Sequence, residues 1–387
     1  MQKNNRLLKI FAFVLMATFL RYFVIGEILE KSHDIWMEIL AILVVFLVGI
    51  GYIFRRTAKV IEETTDILKD RTGLAGGFLQ AFGTAFPDMI IGVMAAIASL
   101  QVRDADYARA INLAIIAAAS TFGSNIYNIL HAVWCVWRQN LANSKDKAVM
   151  MFPGLKFGGN LKPLSKHTTK PSPIEIDNAV RILMALTLLT AFVAVSMVLF
   201  GQVPEGEASG QEGDLYQLIR PVGVVLFFLC AYVLYYFRKS ERPESLDREV
   251  VKAERYYESR STKRIWFDLL LSGIAILLTA ESMVRAIEVF SELTSTPYVI
   301  TGILAGLVGC FGEMMVVHNF SVHPTGRISD AIGGVAMDNI VTTMGAAIVA
   351  IMGGIFLGGS SLILIFIIIL ASNTVLISEI TRLRNRL

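Results

Sequence analysis

The sequence predicts an all-α integral membrane protein of about ten transmembrane helices, arranged as two halves with inverted topology. Three observations lead there. Of the 387 residues, 55% are hydrophobic and only 17% charged, with a mean hydropathy of +0.60, the balance of a polytopic membrane protein and not of a soluble domain. Ten apolar segments are long enough to cross roughly 30 Å of hydrocarbon as helices. Finally, two distant stretches repeat one pattern of acidic and amide residues inside apolar spans. The first reads Gly83-Thr84-Ala85-Phe86-Pro87-Asp88 and later Gly123-Ser124-Asn125-Ile126-Tyr127-Asn128. The second reads Val308-Gly309-Cys310-Phe311-Gly312-Glu313 and later Gly333-Gly334-Val335-Ala336-Met337-Asp338.

The elements follow in order. Segment 7–29 begins amid the basic residues Lys3, Arg6 and Lys9, as a signal peptide would. Arg21 interrupts its apolar run and no small-residue cleavage site follows, so a retained helix is expected. Segment 36–54 leads through the loop 55–73 to spans 74–100 and 107–137, which carry the first copy of the pattern. The stretch 138–177 holds Arg138, Lys145, Lys147, Lys156, Lys162, Lys166 and Lys170 among Pro153, Gly154, Gly158, Gly159, Pro163, Pro171 and Pro173. It reads as a mobile basic connector, without an acidic cluster to bind a regulatory cation. Spans 178–200 and 217–238 flank a loop with Glu205, Glu207, Glu212 and Asp214 and no Lys or Arg. The linker 239–264 is dense in charge, from Arg242 and Glu244 to Glu254 and Arg255, and reads as a short solvated helix joining the halves. Spans 265–290, 297–320, 328–353 and 360–380 complete the chain, the middle two bearing the second copy, before Arg382, Arg384 and Arg386. With ten spans, the basic stretches and both termini fall on one side, which the positive-inside rule makes cytoplasmic, with the plasma membrane as the expected location. Cys135, Cys230 and Cys310 lack metal-like spacing and read as packing residues.

In that topology the helix with Asp88 runs outward and the helix with Glu313 inward, the antiparallel relation of an inverted repeat. A carboxylate in an apolar span is costly and usually persists because an ion or proton uses it. Thr84 and Asp88 are four residues apart, on one helical face, and Ser124 and Asn128 repeat the spacing. Pro87 donates no amide and disfavours a regular turn around Gly83, freeing carbonyl oxygens. Carboxylate, amide, hydroxyl and backbone oxygens suit hard cations. Glu313 and Asp338 keep the acidic places in the second copy, with Gly309 and Gly334 one turn before them. Plainer readings stand beside these. Arg21, Arg181 or Arg285 could pair the carboxylates, and the Thr84 and Ser124 hydroxyls could bond a preceding carbonyl. Gly333, Gly334, Gly345, Ala346 and Ala347 read as close-packing positions. His318 and His323 mark a polar helix end or a proton relay, and Asp268 and Glu281 have no assigned role.

Gly83–Asp88 resembles the Gly-Thr-Ser-Leu-Pro-Glu motif of the cation/calcium exchangers, and Gly123–Leu130 is similar to their Gly-Ser-Asn-Ile-Phe-Asn-Ile-Leu signature. The similarity runs from about Trp36 to Gly354. It implies the cation exchanger fold and a secondary antiporter, most often exchanging Ca2+ for Na+ or H+ by alternating access. Carried over position by position, the metal ligands are Thr84, Asp88, Ser124, Asn128, Glu313 and Asp338. The implied organisation is an extra N-terminal helix in 1–35, a first repeat in 36–238, the linker 239–264, and a second repeat in 265–387 lacking the usual last helix. Transported cations and membrane lipid are the expected partners, with no cofactor, nucleic acid, obligatory protein partner or enzymatic activity. The chain departs from the motif at Asp88, where Glu is usual, at Ala85, and at Gly309, Cys310, Gly312 and Gly334, where hydroxyls or proline are usual. Asp88 and Asn128 are 40 residues apart but Glu313 and Asp338 only 25, which longer helices and a longer turn around Val102–Arg109 would explain. Another divalent cation such as Mg2+ is the nearest competing substrate. A transport-inactive scaffold is a second alternative, and a membrane hydrolase is disfavoured by the absence of HExxH or a similar motif.

Overall fold

A computed structural model describes residues 5–32, 34–72, 76–154, 157–167, 171–203, 214–237, 256–322 and 328–386. Its helices are α1 (Asn5–Phe19), continued in π-type winding over Leu20–Leu29, α2 (Ile35–Val44), continued likewise over Val45–Phe54, and α3 (Arg55–Thr72). There follow α4 (Gly76–Val102), α5 (Tyr107–Lys145), α6 (Pro173–Phe200), α7 (Arg220–Phe237), α8 (Thr262–Thr294), α9 (Tyr298–Val322), α10 (Ile328–Met352) and α11 (Gly359–Arg384). Among the described residues, ten helical stretches are long and apolar enough to cross a membrane, and they fall on the ten segments read from the sequence. Two short antiparallel pairs complete the fold: β1 (Val149–Phe152) with β2 (Phe157–Leu161), and β3 (Leu215–Gln217) with β4 (Phe356–Gly358). The three cysteines are buried and free.

Capping explains two boundaries that lie beyond the apolar runs. α5 continues past residue 137 to Lys145, where Asp146 takes a left-handed conformation with φ of 44° and returns its N–H to Ala142 O and Asn143 O. α6 starts at Pro173 because Ser172 and Glu175 form a reciprocal capping box, with distances of 3.2 and 2.9 Å. Pro87 does not interrupt α4, contrary to the expected irregular turn; the helix runs through it unbroken. Its missing N–H still deprives the Gly83 carbonyl of a helical donor. The unequal spacing of the two motif pairs comes from helix length alone, since the turn between α4 and α5 is only 103–106.

The connector 138–177 holds the β1–β2 hairpin. Arg138, buried on α5, donates from both Nε (3.0 Å) and a terminal nitrogen to Met150 O. Trp134 Nε1 donates to Met151 O at 3.2 Å, and Gln139 Nε2 to Lys162 O at 2.8 Å. Strands this short among Pro and Gly leave no alternation to read. Lys156 and Lys170, most of the linker 239–264, Glu205, Glu207, Glu212 and His323 lie outside the described residues.

The contacts settle the helix directions. α4 and α5 are antiparallel: Ser99 Oγ donates to Ala110 O at 2.6 Å, while Gly92 sits on Ala117. α5 and α9 run parallel, with Gly302 on Ile116, Gly306 on Ser120 and Ser124, and Glu313 on Asn128. α4 and α10 also run parallel, through Asp88 with Thr342, Met89 with Gly345 and Ala96 with Gly354. Hence α4 is antiparallel to α9 and α5 to α10, which is the inverted repeat.

Glycine permits the closest of these approaches. A Cβ on Gly306 would lie 2.7 Å from Ser124 N, where backbone cannot yield, whereas one on Gly312 of the same helix meets nothing within 4 Å. Gly306→Val is expected to cost about 1–3 kcal/mol by overpacking, and Gly312→Ala to be neutral or to gain up to about 1 kcal/mol of helix propensity. Thermal denaturation of the two purified variants checks the contrast; equal melting temperatures would contradict it.

A second apolar core holds α1, α2 and one face of α8 together, through Phe13, Ala17, Leu20, Val45 and Ile53 against Ala275 and Ala286. The other face of α8, with Ile276, Ala280, Met283 and Val284, joins the main core of α4–α7 and α9–α11. At the start of α8, Tyr257 donates to Asp268 Oδ2 at 3.2 Å beneath the Arg6 guanidinium, 5.1 Å away. Burial, with Asp268 beside it, pushes this hydroxyl well above its ordinary 10.0 and keeps it the donor.

Candidate cation site

Four helices bring polar side chains to one buried cluster. α4 contributes Asp88, α5 Ser124, Asn125 and Asn128, α9 Glu313, and α10 Asp338, Asn339, Thr342 and Thr343, none more than 8% exposed. The amide of Asn128 donates from Nδ2 to Glu313 Oε2 and, at 3.2 Å, to Asn339 Oδ1. Thr342 Oγ1 lies 3.3 Å from Asp88 Oδ2 and 3.1 Å from Asp338 O. Ser124 Oγ bonds Thr121 O at 2.8 Å and also reaches the Asp88 carboxylate. Asn125 Nδ2 is 3.5 Å from Thr343 Oγ1. Asp88, Glu313 and Asp338 are near enough to repel one another.

Unpaired acceptors outnumber unpaired donors in this cluster. Among the described residues, Asp88 Oδ1, Glu313 Oε1, Asn125 Oδ1 and Asn128 Oδ1 are buried acceptors without a hydrogen-bond partner, against one such donor, Asn339 Nδ2. One orphaned buried acceptor costs about 1–3 kcal/mol, so four together mark a place built for something positive. The basic residues that could have paired the acids are engaged elsewhere: Arg21 Nε holds Glu281 at 2.7 Å and Arg285 holds Glu288 at 3.1 Å, while Arg181 is exposed. No group of three or more His, Cys, Asp or Glu among the described residues is placed to hold a metal. The donor set is therefore mixed, with acids supplying charge and neutral oxygens filling the coordination, as hard cations accept.

The structure thus brings Asp88, Ser124, Asn128 and Glu313 into contact, with Asp338 beside them. The Thr84 side chain lies outside the described residues, although its backbone belongs to α4. Gly309 is explained by packing: a Cβ there would stand 2.8 Å from Asp88 Oδ1 and 3.0 Å from Asp88 Cα. Gly345, Ala346 and Ala347 are close-packed as expected, but Gly333 and Gly334 are not, having nothing within 4 Å of a Cβ. His318 stacks on Phe152 of the hairpin at 5.6 Å and on His131 at 6.0 Å.

No family model matches the chain, and no curated protein matches it. Solved structures do. Native YfkE superposes with a TM-score of 0.53 at 14% identity, over 97% of this chain and 98% of that one. The H+/Ca2+ exchanger CAX gives 0.53 at 12% identity, over 97% and 93%. The chain has the fold of the cation/calcium exchangers. The sodium-calcium exchanger NCX_Mj gives a lower TM-score, 0.46, at 17% identity over 87% and 90%.

Within this exchanger fold, sequence reasoning missed Asn125, Asn339, Thr342 and Thr343. Asn125 stands inside the Gly-Ser-Asn-Ile signature and could have been found there. The other three follow Asp338 on the same helix at positions matched in the first repeat, counting from Asn128, by Ile129, Ala132 and Val133. The repeat comparison hides them for that reason.

Proposed function

We propose that the chain is a secondary cation antiporter that exchanges Ca2+ for Na+ or H+ by alternating access, with Asp88, Glu313, Asn128, Asp338, Ser124 and Thr84 as its ion ligands. One observation carries the reading: two acids from antiparallel helices of opposite repeats share a buried cluster, each with an oxygen that no donor among the described residues satisfies. Several buried carboxylates in low dielectric are strongly disfavoured unless cations or protons neutralise them. An empty, fully charged site is then the costly state to carry across, and a loaded or protonated one is not. Obligatory exchange follows from that difference, because each ligand favours the conformations in which it offsets the charge. A scaffold without transport would gain nothing from unpaired buried acids.

In this reading 36–238 and 265–387 are the repeats, 239–264 joins them, and 1–35 adds a helix. Both termini face the cytoplasm of a cell with the protein in its plasma membrane, as the basic stretches favour. Reconstitution into vesicles, with uptake of Ca2+, Mg2+, Mn2+ and Na+ followed under imposed Na+ and pH gradients, tests the proposal. Ca2+ uptake driven by one of the two gradients is expected. Uptake insensitive to both would count against exchange, and a preference for Mg2+ or Mn2+ would change the substrate.

A further inference from the structure

The second repeat has lost the hydroxyls that the motif would place before its acids, leaving Gly309 and Gly334 there. Polar side chains reappear instead on the following turn of α10, at Asn339, Thr342 and Thr343. We infer that Thr342 is a positioning residue for Asp88, and Asn339 for Asn128, so that one turn of α10 aims the ligand oxygens of the first repeat. The inference rests on the antiporter reading and concerns how the ligands of its site are held.

Thr342 is fully buried, and its hydroxyl lies between Asp88 Oδ2 and the Asp338 carbonyl. That carbonyl already receives the Thr342 backbone N–H of the helix. The hydroxyl proton does more on the carboxylate, where it satisfies Oδ2 and fixes the plane of the group. Oδ1 then faces the space that Gly309 keeps clear, since any Cβ on Gly309 would press on that atom. Thr342 thus joins Ser124 in holding the Asp88 carboxylate, and Oδ1 has no hydrogen-bond partner among the described residues.

Asn339 acts on Asn128 in a similar way. Both acceptors within reach of Asn128, Glu313 Oε2 and Asn339 Oδ1, take its Nδ2. An amide whose nitrogen meets two acceptors must turn its oxygen away from them, and Asn128 Oδ1 is accordingly without a donor. In the first repeat the corresponding places hold Ile129 and Ala132, so this pair of polar side chains is not duplicated there. α10 supplies this support to α4 and α5, while α5 in turn holds Glu313 of the second repeat through Asn128 Nδ2.

Thr342→Val removes the hydroxyl at nearly constant volume, and Thr342→Ser keeps it. In vesicles of phosphatidylethanolamine and phosphatidylglycerol, initial rates of Ca2+ uptake yield an apparent KM and a maximal rate for each. Loss of a hydrogen bond to an ionised group predicts a rise of about tenfold in KM for Thr342→Val. The maximal rate should change much less, and Thr342→Ser should return KM to near the wild-type value. A wild-type KM in Thr342→Val overturns the inference. So does a Thr342→Ser variant as impaired as Thr342→Val, which would mark the methyl packing as the role of this side chain. Wild-type vesicles that carry none of Ca2+, Mg2+, Mn2+ or Na+ would overturn the antiporter reading and this inference with it.

Discussion

Under the proposed function, Asp88→Asn and Glu313→Gln are each expected to lower Ca2+ exchange by on the order of a hundredfold, equivalent to about 2.7 kcal/mol, while raising thermal stability. The two effects share one cause. Each substitution removes a buried negative charge without a basic partner, and in the absence of a bound ion that charge only destabilises the fold. The amide keeps the shape of the carboxylate but contributes no charge to a cation passing through. A residue whose carboxylate merely braced the helices would behave the other way, losing melting temperature with its charge. Melting in detergent, measured with and without Ca2+, therefore separates the two roles: wild type should gain stability on adding Ca2+, and the variants should gain little. Either variant retaining wild-type flux would remove its acid from the site.

The largest stability loss is expected at Glu288. This carboxylate of α8 is 2% exposed and accepts from Arg109 of α5 at 2.5 and 3.0 Å and from Arg285 at 3.1 Å. It is the point where α8, which carries the second apolar core, is ionically tied to the main core. Glu288→Gln leaves two guanidinium groups against a neutral amide. Breaking such a buried pair by removing one partner costs about 3–5 kcal/mol, and the part-exposed Arg109 places the expectation at the low end. Adding Arg109→Gln and Arg285→Gln to Glu288→Gln should recover much of the loss, because the uncompensated charges disappear with it. A melting temperature unchanged in the single variant would mean that the ions were solvated rather than buried.

How much of this was readable in the residues depends on where each signal lies. The ten spans were legible because apolar length is a local property, and the inversion because Asp88 and Glu313 sit in spans of opposite parity. Most of the buried polar cluster was legible as well, through two motifs that keep their acids and amides. Thr342 was not. Hydroxyls in these helices ordinarily bond the carbonyl four residues back, as Thr279 does to Ala275 O and Thr190 to Leu186 O. Nothing local separates Thr342 from them, and its carboxylate partner lies 254 residues away in the chain. The hairpin escaped for a different reason, since its anchor is Arg138 inside a helix and not any pattern in its strands. Pro87 misled because losing a single hydrogen bond did not end a helix packed on both sides.

Gly333 and Gly334 face empty space, while Gly302, Gly306 and Gly309 are pressed against neighbouring backbone. The second repeat is therefore packed unequally at its glycines. A side chain added at Gly333 or Gly334 would find room that one added at Gly306 would not.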